Sequence, residues 1–594
     1  MADMIPTSKK EVDALGWDYI DVIFFTGDAF IDHPSFGSAV LSRWLQKWGY
    51  RVAVVPQPNW RDDLRDFRKL GKPRLYFAVN AGAMDSMVNH YTASKRLRHD
   101  DAYTPDGKAG ARPDYAVTVY TGILKKLYPD VPVVIGGIEA SMRRLTHYDY
   151  WKDALLPSIL VSSGADYLSY GMGEKVMLEL TRAIEAQRNP SDIRRIPQIG
   201  FFTRGKPRIK DAILLHSYEE CLSDKRKVAE NYHTIEIQAN LMHPSTLVEP
   251  CGDGYVQINP PFPPATTEEM DSYSDLPYTK MPHPRYKGKR IPAYDMIKFS
   301  ICLHRGCFGG CNFCTLALQQ GKFISSRSEQ SVLKEVRELV RHPEFAGNIS
   351  DVGAPSANMY GMRGKDLSLC EKCRRQSCLF PSLCKNMNTD HSRLTALYRE
   401  IDRVKGVRHS YVGSGVRYDL FLDEKGYLDA SSEEYFRELV LRHTSGRLKV
   451  APEHTEDTVL KYLGKPSFRL FMRLRTEFDR INREAGTHVS LVPYFISGHP
   501  GCTMHDMEAL SRNPALRGLY MDQVQDFTPT PMTSSSVMYY TGLDPRTLEP
   551  VFVERDIERK RTQKSFFFKK SNNIAANLKK SPNIAARNQL KKRK

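Results

Sequence analysis

The sequence predicts an α/β protein with two main domains: a doubly wound N-terminal domain and a TIM-like partial (β/α)6 barrel. Short apolar runs that end at glycine or proline alternate with helical patterns over residues 1–190. Six more such runs, separated by five helical patterns, follow within residues 291–560. Strands that alternate with helices form parallel sheets. Because six strands are too few for a closed eight-stranded barrel, we expect an open one.

The first domain begins with a strand–helix–strand pattern. Residues 20–25 are apolar except for Asp21, while Val40, Trp44 and Trp48 fall at helical spacing before Gly49, and residues 52–55 form the next apolar run. Side chains at this spacing share one face of a helix, and glycine commonly follows the last helical residue. Further strands are predicted at residues 75–79, 133–135 and 167–170, the last two followed by the turns Gly136-Gly137 and Gly171-Met172-Gly173-Glu174.

Residues 191–290 are predicted to connect the two domains. Prolines recur at residues 259–265 and 282–285, and proline favours extended backbone at the residue before it. Residues 211–240 have a helical pattern. We assign no chemistry to this region.

The barrel pattern is regular from residue 296 onward. Its third helix begins with a capping-box pattern, Ser431 and Glu434, and its fourth begins at Pro466. The predicted strands are residues 296–302, 349–353, 410–413, 448–451, 489–496 and 519–527, and the predicted helices contain residues 332–340, 394–401, 431–440, 466–478 and 503–513.

The composition, with 41% apolar and 26% charged residues, is that of a soluble protein that buries sizeable cores. No apolar run is long enough to span a bilayer, and residues 1–10 lack the apolar segment of a secretory signal. Eleven cysteines in so long a chain do not make a disulfide scaffold, and seven of them lie in two tight groups. We therefore expect a cytoplasmic metal-binding protein that has no membrane partner.

The positive charge is concentrated at the C-terminus. Residues 559–594 contain thirteen Lys and Arg and no Asp or Glu, so the net charge of +17 falls to +4 without them. Residues 569–576 and 579–586 repeat one Lys-Lys-Ser-x-Asn-Ile-Ala-Ala pattern with little apolar content. We predict a disordered basic tail at 561–594. The tail could bind RNA by counterion release, or it is a solvated extension.

The strongest chemical signal is the stretch Cys307-Phe-Gly-Gly-Cys311-Asn-Phe-Cys314, directly after the first predicted barrel strand. Thiolate is the soft ligand of iron–sulfur clusters and zinc. A cluster normally takes four protein thiolates, so three leave one metal position open. The alternative is a set of buried or zinc-binding thiols. The spacing resembles the CxxxCxxC signature of the radical SAM superfamily, which implies a [4Fe–4S] cluster whose fourth iron chelates S-adenosylmethionine (SAM).

Five stretches together resemble the YgiQ family of radical SAM proteins, and the likeness extends to about residue 565. They are residues 300–315, 351–361, 451–456, 497–501 and 526–531. The resemblance implies a barrel with its site at the C-terminal strand ends, a low-potential electron donor such as a flavodoxin or ferredoxin, and a 5′-deoxyadenosyl radical made by reductive cleavage of SAM. It implies no substrate.

The same resemblance assigns SAM-binding roles to loops that follow the barrel strands. Gly353, Ala354 and Pro355 occupy the position of backbone contacts to the SAM amino group. Arg417 could pair with the SAM carboxylate, and Glu453 could accept hydrogen bonds from the ribose hydroxyls. A salt bridge or a capping contact is the alternative for each of these residues.

The first domain resembles the domain that binds cobalamin in many radical SAM enzymes. The usual DxHxxG loop is missing, however, because residues 32–37 place Asp32 beside His33 and Gly37 four residues later. We therefore do not expect cobalamin, and we interpret His33 as a loop residue with local hydrogen bonds.

A second thiol group, Cys370, Cys373, Cys378 and Cys384, lies in a Cys-rich insertion at residues 362–391. Four thiols within fifteen residues predict a closed metal site that staples this loop, either zinc or an auxiliary [4Fe–4S] cluster. Thiolate ligation fits both metals.

Two functional hypotheses follow. The first is a radical SAM enzyme that modifies RNA, protein or a small metabolite. The second is a metal-stapled nucleic-acid-binding protein whose cysteines are structural. Three thiols suit catalysis and four suit structure; since the chain has one group of each kind, the first group favours the enzyme.

Overall fold

A nine-stranded sheet organises the N-terminal half of the protein, in a computed structural model that describes residues 3–519 and 523–578. The strand order is β2-β1-β3-β4-β7-β8-β11-β10-β9, and the strands from β2 to β7 are parallel. The strands of this half are β1 (Val22–Thr26), β2 (Val52–Pro56), β3 (Tyr76–Asn80), β4 (Val133–Gly136), β5 (His147–Asp149), β6 (Ala154–Leu156), β7 (Tyr167–Ser169), β8 (Ile199–Thr203), β9 (Ile213–Leu214), β10 (Leu247–Cys251) and β11 (Gly254–Ile258).

Helices cover both faces of this sheet. Val22 and Phe24 of β1 pack into one hydrophobic core, and Ile23 and Phe25 pack into another, because successive side chains on a strand point to opposite faces. The helices are α1 (Lys9–Ala14), α2 (Gly37–Lys47), α3 (Arg65–Arg68), α4 (Ser86–His90), α5 (Ala116–Leu127), α6 (Gly137–Met142), α7 (Ile159–Ser163), α8 (Glu174–Glu185), α9 (Pro190–Ile193), α10 (Tyr218–Ser223), α11 (Lys225–Asn240) and α12 (Thr267–Ser274). The predicted α/β class and parallel sheet are confirmed.

The prediction of a connecting region at 191–290 is wrong. Strands β8 to β11 of this region join the large sheet, where β8 is antiparallel to β7 and β11 is antiparallel to β8. The reason is that most residues of β8, β10 and β11 are buried, and pairing with the large sheet satisfies their backbone hydrogen bonds away from water. The proline-rich stretch after β11 forms a wall beside this sheet extension.

The first and third strands meet at the point where the strand order reverses. Such a crevice commonly binds ligands in doubly wound folds. Here Arg112 fills it: the guanidinium lies 2.9 Å from Asp28 and 3.1 Å from Asp101, and it donates to the Ala81 carbonyl at 2.8 Å. All three charged side chains are buried.

The C-terminal half contains a strand at each of the six predicted barrel positions. Parallel pairings join β12 to β16, β15 to β17, β18 to β19, and β19 to β20. The strands are β12 (Ser300–Cys302), β13 (His304–Arg305), β14 (Ser325–Ser326), β15 (Asn348–Ile349), β16 (Asp351–Gly353), β17 (His409–Ser410), β18 (Arg447–Glu453), β19 (Ser490–Ser497) and β20 (Gln523–Asp526).

Helices pack outside these strands around one large apolar core. The helices of this half of the chain are α13 (Pro292–Ile297), α14 (Leu316–Gln320), α15 (Glu329–Leu339), α16 (Leu367–Glu371), α17 (Ser392–Asp402), α18 (Ala430–Arg442), α19 (Asp457–Leu463), α20 (Phe468–Ala485), α21 (Met504–Arg512), α22 (Ser534–Thr541) and α23 (Ile557–Leu578). The first predicted strand began too early, because Pro292 at the first turn starts α13 and carries the helix to Ile297.

The prediction of a disordered tail is wrong for residues 561–578, which lie in α23. Phe567 is buried with its ring centroid 5.7 Å from that of Phe495, and Lys564 pairs with Asp526 at 3.0 Å. These aromatic and ionic contacts with β19 and β20 hold a helix that the basic repeat pattern does not indicate. Residues 579–594, with the predicted RNA-binding role of the tail, lie outside the described residues. None of the helices in the described ranges combines the length and the apolar character that a membrane crossing requires.

Candidate functional site

Cys307, Cys311 and Cys314 lie on one loop that follows β12 and β13. Cys307 is buried, and Cys311 and Cys314 are half-buried. Burial raises the pKa of the Cys307 thiol, and the Cys311 thiol raises it further. Burial raises the pKa of Cys314 to about 12, again with contributions from Cys311 and Cys307. Cys307, Cys311 and Cys314 are therefore close enough to influence one another electrostatically.

Two glycines let this loop fold tightly. A Cβ atom at Gly309 would lie 3.0 Å from Arg417 Nη1 and 3.3 Å from Cys307 Sγ. Gly310 has a φ of +60°, and a Cβ atom there would lie 2.8 Å from the Gln376 carbonyl oxygen. Only glycine can adopt the positive φ at position 310 and also avoid a collision with the backbone of the insertion.

Arg417 lies against the thiols rather than in open space. Its Nη1 donates to Cys311 Sγ at 3.1 Å, while Nε and Nη2 donate to the Asp419 carboxylate at 2.8 and 2.5 Å. The guanidinium thus has one N–H group aimed at a prospective metal ligand. The predicted pairing of Arg417 with the SAM carboxylate stays a prediction, and the buried ion pair with Asp419 already uses two of its donor groups.

The Cys-rich insertion binds the cysteine loop directly. Ser377 Oγ donates to the Gly309 carbonyl at 2.6 Å, Gln376 Nε2 donates to the Gly310 carbonyl at 3.1 Å, and the Cys378 amide donates to the Phe308 carbonyl at 3.0 Å. These bonds join one member of the second thiol group to the backbone beside Cys307. The two predicted metal sites are therefore neighbours, which their separation in sequence does not indicate.

The four thiols of the second group interact with one another. Burial raises the pKa of Cys378 to about 11, the Lys322 ammonium opposes this rise, and Cys384 and Cys373 add to it. Burial, Cys373 and Cys384 also raise the pKa of Cys370, whose sulfur accepts from Asn386 Nδ2 at 3.4 Å. Within residues 3–519 and 523–578, no group of three or more His, Cys, Asp or Glu side chains is arranged to hold a single metal ion. Metal binding by either thiol group stays a prediction.

The segment Gly353, Ala354 and Pro355 ends β16 beside the cysteine loop. The Gly353 carbonyl accepts from the Leu303 amide at 2.9 Å, and the next residue, Ser356, places its Oγ 3.7 Å from Cys307 Sγ. Its predicted SAM contact is compatible with this position. A Cβ atom at Gly353 would lie 2.6 Å from Asp351 Oδ1 and closer still to Ser414 Oγ, so a side chain there would collide with both residues.

Glu453 ends β18 in a strained conformation. Its φ of +67° lies in the left-handed region, which a non-glycine residue rarely adopts, and the ladder to β19 is irregular at this point. Its buried carboxylate lies 3.5 Å from Lys465 Nζ, and burial raises the pKa of Glu453 despite that ammonium group. Strain of this kind is concentrated at functional sites, so it agrees with the predicted role of Glu453.

A cavity of ≈ 950 Å³ opens between the barrel and the N-terminal sheet. Phe313 of the cysteine loop and Glu453 line it on the barrel side, while Phe36, Asn89 and Tyr103 line it from the first domain. Gly353, Ala354, Pro355 and Arg417 lie at the cysteine loop but do not line this cavity. The structure thus brings Glu453 to the cavity and the other predicted residues to the thiols.

Asp32 and His33, which lie in the stretch nearest to a cobalamin loop, make internal contacts. The Asp32 carboxylate binds Arg43 at 2.5 and 3.1 Å. His33 is buried and its Nδ1 accepts from the Ser35 amide at 3.1 Å, and burial lowers its pKa to about 3. These contacts agree with the local role that the sequence indicates for His33.

Several residues of the site were not predicted. Ser356 and Asn358 lie within the stretch 351–361, so the motif itself could have indicated them. Asn358 exchanges two hydrogen bonds with the Arg417 backbone, at 2.8 and 2.9 Å. Lys465 and Ser377 carry no signal in a single sequence, because their partners belong to other elements.

Comparison with known proteins decides the family. The UPF0313 protein of Bacteroides thetaiotaomicron is 53% identical over 583 residues, which cover 96% of this chain and 94% of that protein. The chain belongs to the UPF0313 family. The UPF0313 protein YgiQ of Escherichia coli is 40% identical, with 95% of this chain and 83% of that protein covered. The predicted membership in the YgiQ family is therefore confirmed.

Family models and solved structures add to this UPF0313 assignment. A model described as Radical SAM N-terminal matches residues 4–300, which confirms the predicted superfamily. A second, described as a domain of unknown function, matches residues 522–590. The radical SAM methyltransferase TsrM of Kitasatospora setae, solved with cobalamin and a [4Fe–4S] cluster bound, is 16% identical. The structural alignment covers 83% of this chain and 69% of the TsrM chain, with a TM-score of 0.45.

Proposed function

We propose that this UPF0313 protein is a radical SAM enzyme that binds a [4Fe–4S] cluster through Cys307, Cys311 and Cys314 and cleaves SAM reductively. The observation that carries the proposal is the loop itself: three mutually interacting thiols beside a strained, buried Glu453 and a ≈ 950 Å³ cavity. A donor set of three thiolates leaves one position of such a cluster free for SAM. The first domain then provides the far wall of the substrate site.

Cys307, Cys311 and Cys314 would hold the cluster, which together with SAM would supply reductive cleavage of SAM and hydrogen abstraction from the substrate. The protein holds the thiols in position and excludes water. Phe308 is buried beside Cys307, and the Arg417 N–H group at 3.1 Å from Cys311 Sγ neutralises part of a thiolate charge. Glu453 and the backbone of Gly353 to Pro355 orient SAM.

The substrate site is large enough for SAM and a second reactant. A cavity of ≈ 950 Å³ is at the upper end of the range for small-molecule sites. Phe36 and Tyr103 offer aromatic surface, and Asn89, Thr528 and Lys564 offer polar groups. This lining fits a small metabolite, or one residue or nucleotide extended from a larger substrate.

The second thiol group supplies a route for electrons if it holds an auxiliary cluster. Its Cys378 amide bonds to the backbone beside Cys307, and the insertion exposes Lys372, Arg374 and Lys385 on its outer side. This basic surface complements an acidic flavodoxin or ferredoxin, which charge attraction would steer toward the site.

The first experiment is anaerobic reconstitution followed by iron and sulfide counting and dithionite-driven SAM cleavage. We expect 5′-deoxyadenosine from the wild type and none from Cys307→Ala. Cys251→Ala is the matched control, because that buried thiol lies in β10. Loss of iron from Cys370→Ala would show a cluster at the second site, and loss of zinc with iron unchanged would show a structural ion. A wild type that binds no iron would overturn the proposal.

The second experiment tests the electron route. In Lys372→Glu/Arg374→Glu/Lys385→Glu, SAM cleavage driven by reduced flavodoxin should fall about tenfold, while cleavage driven by dithionite should not change. Dithionite is a small reductant that needs no docking surface. An equal rate with flavodoxin in both proteins would exclude this surface as the docking site.

A further inference from the structure

Arg144 is a buried cation without an acidic partner. Its side chain is 5% exposed, its Nη1 donates to the Ser141 carbonyl at 2.7 Å, and its Nε has no hydrogen-bond partner. Tyr170 lies under the guanidinium, 5.1 Å from ring centroid to Cζ. Burial lowers the pKa of Arg144, two tyrosines oppose this, and no carboxylate of the described residues contributes.

Other buried arginines of the same domain are paired. Arg43 is also 5% exposed and binds Asp32 through two nitrogens. Arg143, the neighbour of Arg144, binds Asp85 and lies 3.8 Å from Asp149. Burying an unpaired cation is expensive, so the isolation of Arg144 needs an explanation.

Arg144 lines a cavity of ≈ 180 Å³ behind the cysteine loop. Helix α11, the proline-rich stretch at residues 260–264 and the residues after α14 form its walls, which are mainly apolar. An apolar cavity of about 150 Å³ already admits benzene. The volume therefore fits a small organic molecule with an apolar body.

The other cations of this cavity already have partners. Arg305 pairs with Glu174 at 2.6 Å and Lys175 pairs with Glu269 at 2.7 Å. Lys322 donates to the Arg375 carbonyl and faces the second thiol group. Among the cationic lining residues that the structure describes, Arg144 is therefore the one whose guanidinium has no acidic partner and is available to a ligand.

We propose that this cavity binds a small organic anion, a carboxylate or phosphate group on a body of about the size of one aromatic ring, with Arg144 as the partner of the anionic group. An occupant would touch the segment that supports the cluster loop. Gln319 Nε2 donates to the Gly171 carbonyl at 2.8 Å, and the Gly321 carbonyl accepts from the Cys307 amide at 3.1 Å. The proposal does not depend on cluster binding or SAM cleavage.

Calorimetric titration of the full-length protein with benzoate, phenyl phosphate and neutral benzyl alcohol tests the site. A charge-assisted hydrogen bond predicts that at least one anion binds the wild type ten times or more tightly than benzyl alcohol. The tighter of the two anions identifies the carboxylate or the phosphate as the preferred group. Arg144→Met should abolish the preference. Equal binding of all three probes to the wild type, or an unchanged preference in Arg144→Met, would overturn the proposal.

Two further variants keep this result interpretable. Ala239→Leu leaves Arg144 in place and fills the cavity from α11, so it should also abolish anion binding. Arg43→Met removes an equally buried but paired arginine and should lower the melting temperature by several degrees, whereas Arg144→Met should leave it unchanged or raise it. A comparable fall in Arg144→Met, with no anion preference in the wild type, would make Arg144 a structural residue.

Discussion

Arg417 joins the predicted cluster loop to the third barrel strand through a single N–H group. This group is 3.1 Å from Cys311 Sγ, and Asp419 holds the rest of the guanidinium in a fixed plane. Hydrogen bonds and positive charge near thiolate ligands favour the reduced state of an iron–sulfur cluster. The role predicted from the resemblance concerned SAM, but under the proposed function the bond to Cys311 favours an effect of Arg417 on the cluster.

In the reconstituted protein, Arg417→Gln should lower the midpoint potential of the first cluster by about 50 mV, since one charge and one donor near the thiolate are lost. A redox titration followed by electron paramagnetic resonance, without SAM, measures this shift. Arg417→Lys retains the charge and should shift the potential less. Superimposable titrations for Arg417→Gln and the wild type would contradict this role.

Glu249 is a buried carboxylate without a cation beside it, and it should make stability depend on pH. Burial raises its pKa from 4.5 to about 8 although the Thr146 amide donates to it at 2.9 Å. Between pH 4.5 and 8, Glu249 is therefore protonated in the native state and ionised in the unfolded state. The stabilisation is complete below pH 4.5 and is lost as the pH rises to 8.

Glu249→Gln keeps the acceptor for Thr146 and removes the charge. We expect the variant to be more stable than the wild type at pH 8.5, by roughly 3–5 kcal/mol at most, and to show little advantage at pH 4.5. Urea unfolding at both values measures the difference. Glu236→Gln is the matched control, because Glu236 is also buried but binds Arg546 at 2.7 Å, and its loss should destabilise the protein. A pH-independent difference for Glu249→Gln would contradict the assignment.

The Cys-rich insertion is the element that most changes the sequence-based description. Its position between the second strand and the second helix and its four thiols were predicted, because both are properties of the local sequence. Its hydrogen bonds to Gly309 and Gly310 were not, since such contacts depend on how two distant loops meet. The sequence did not predict strands β8 to β11 or helix α23 for a related reason. Packing against neighbouring elements stabilises them, and the residue periodicity of these segments alone does not indicate a strand or a helix.

Ser377→Ala should weaken the bond between the insertion and the cysteine loop. The Ser377 Oγ donates to the Gly309 carbonyl and accepts from the Leu379 and Phe380 amides. The substitution removes all three hydrogen bonds and leaves the carbonyl and the two amides without this partner. We expect a loss of about 2 kcal/mol in the free energy of unfolding and faster loss of iron to a chelator. Ser382→Ala, on the exposed side of the same insertion, should stay within about 0.5 kcal/mol. Equal iron loss in the two variants would contradict the link.

At the scale of the whole molecule, the two halves meet at the cysteine loop. Arg546, near the C-terminus, binds Glu236 of α11 at 2.7 Å and donates to Asn312 of the loop at 2.8 Å. The sequence predicted the loop, its barrel and the family. It did not predict this bridge, because three positions so far apart in the chain show no periodic or motif relation.

Arg546→Met should destabilise the protein by about 3–5 kcal/mol, because it leaves Glu236 buried without its cation. We also expect less iron per chain after reconstitution, since Asn312 loses a bond that fixes the loop. Thermal unfolding and iron counting measure the two effects. Arg226→Met is the control. It removes an exposed arginine from α11, the helix that contains Glu236, where Arg226 pairs with Glu230, and it should change neither stability nor iron content measurably. Wild-type stability in Arg546→Met would refute the bridge.

The bonds of Asn312 have a consequence for the order of biosynthesis. Its amide donates to Leu463, its side chain donates to Tyr462, and its carbonyl accepts from the Ser535 amide. Every one of these partners is translated long after the cysteines have left the ribosome. The loop therefore gains these hydrogen bonds only after residues 462, 463 and 535 have been made, and under the proposed function we expect iron to enter the protein after these segments have folded onto the loop.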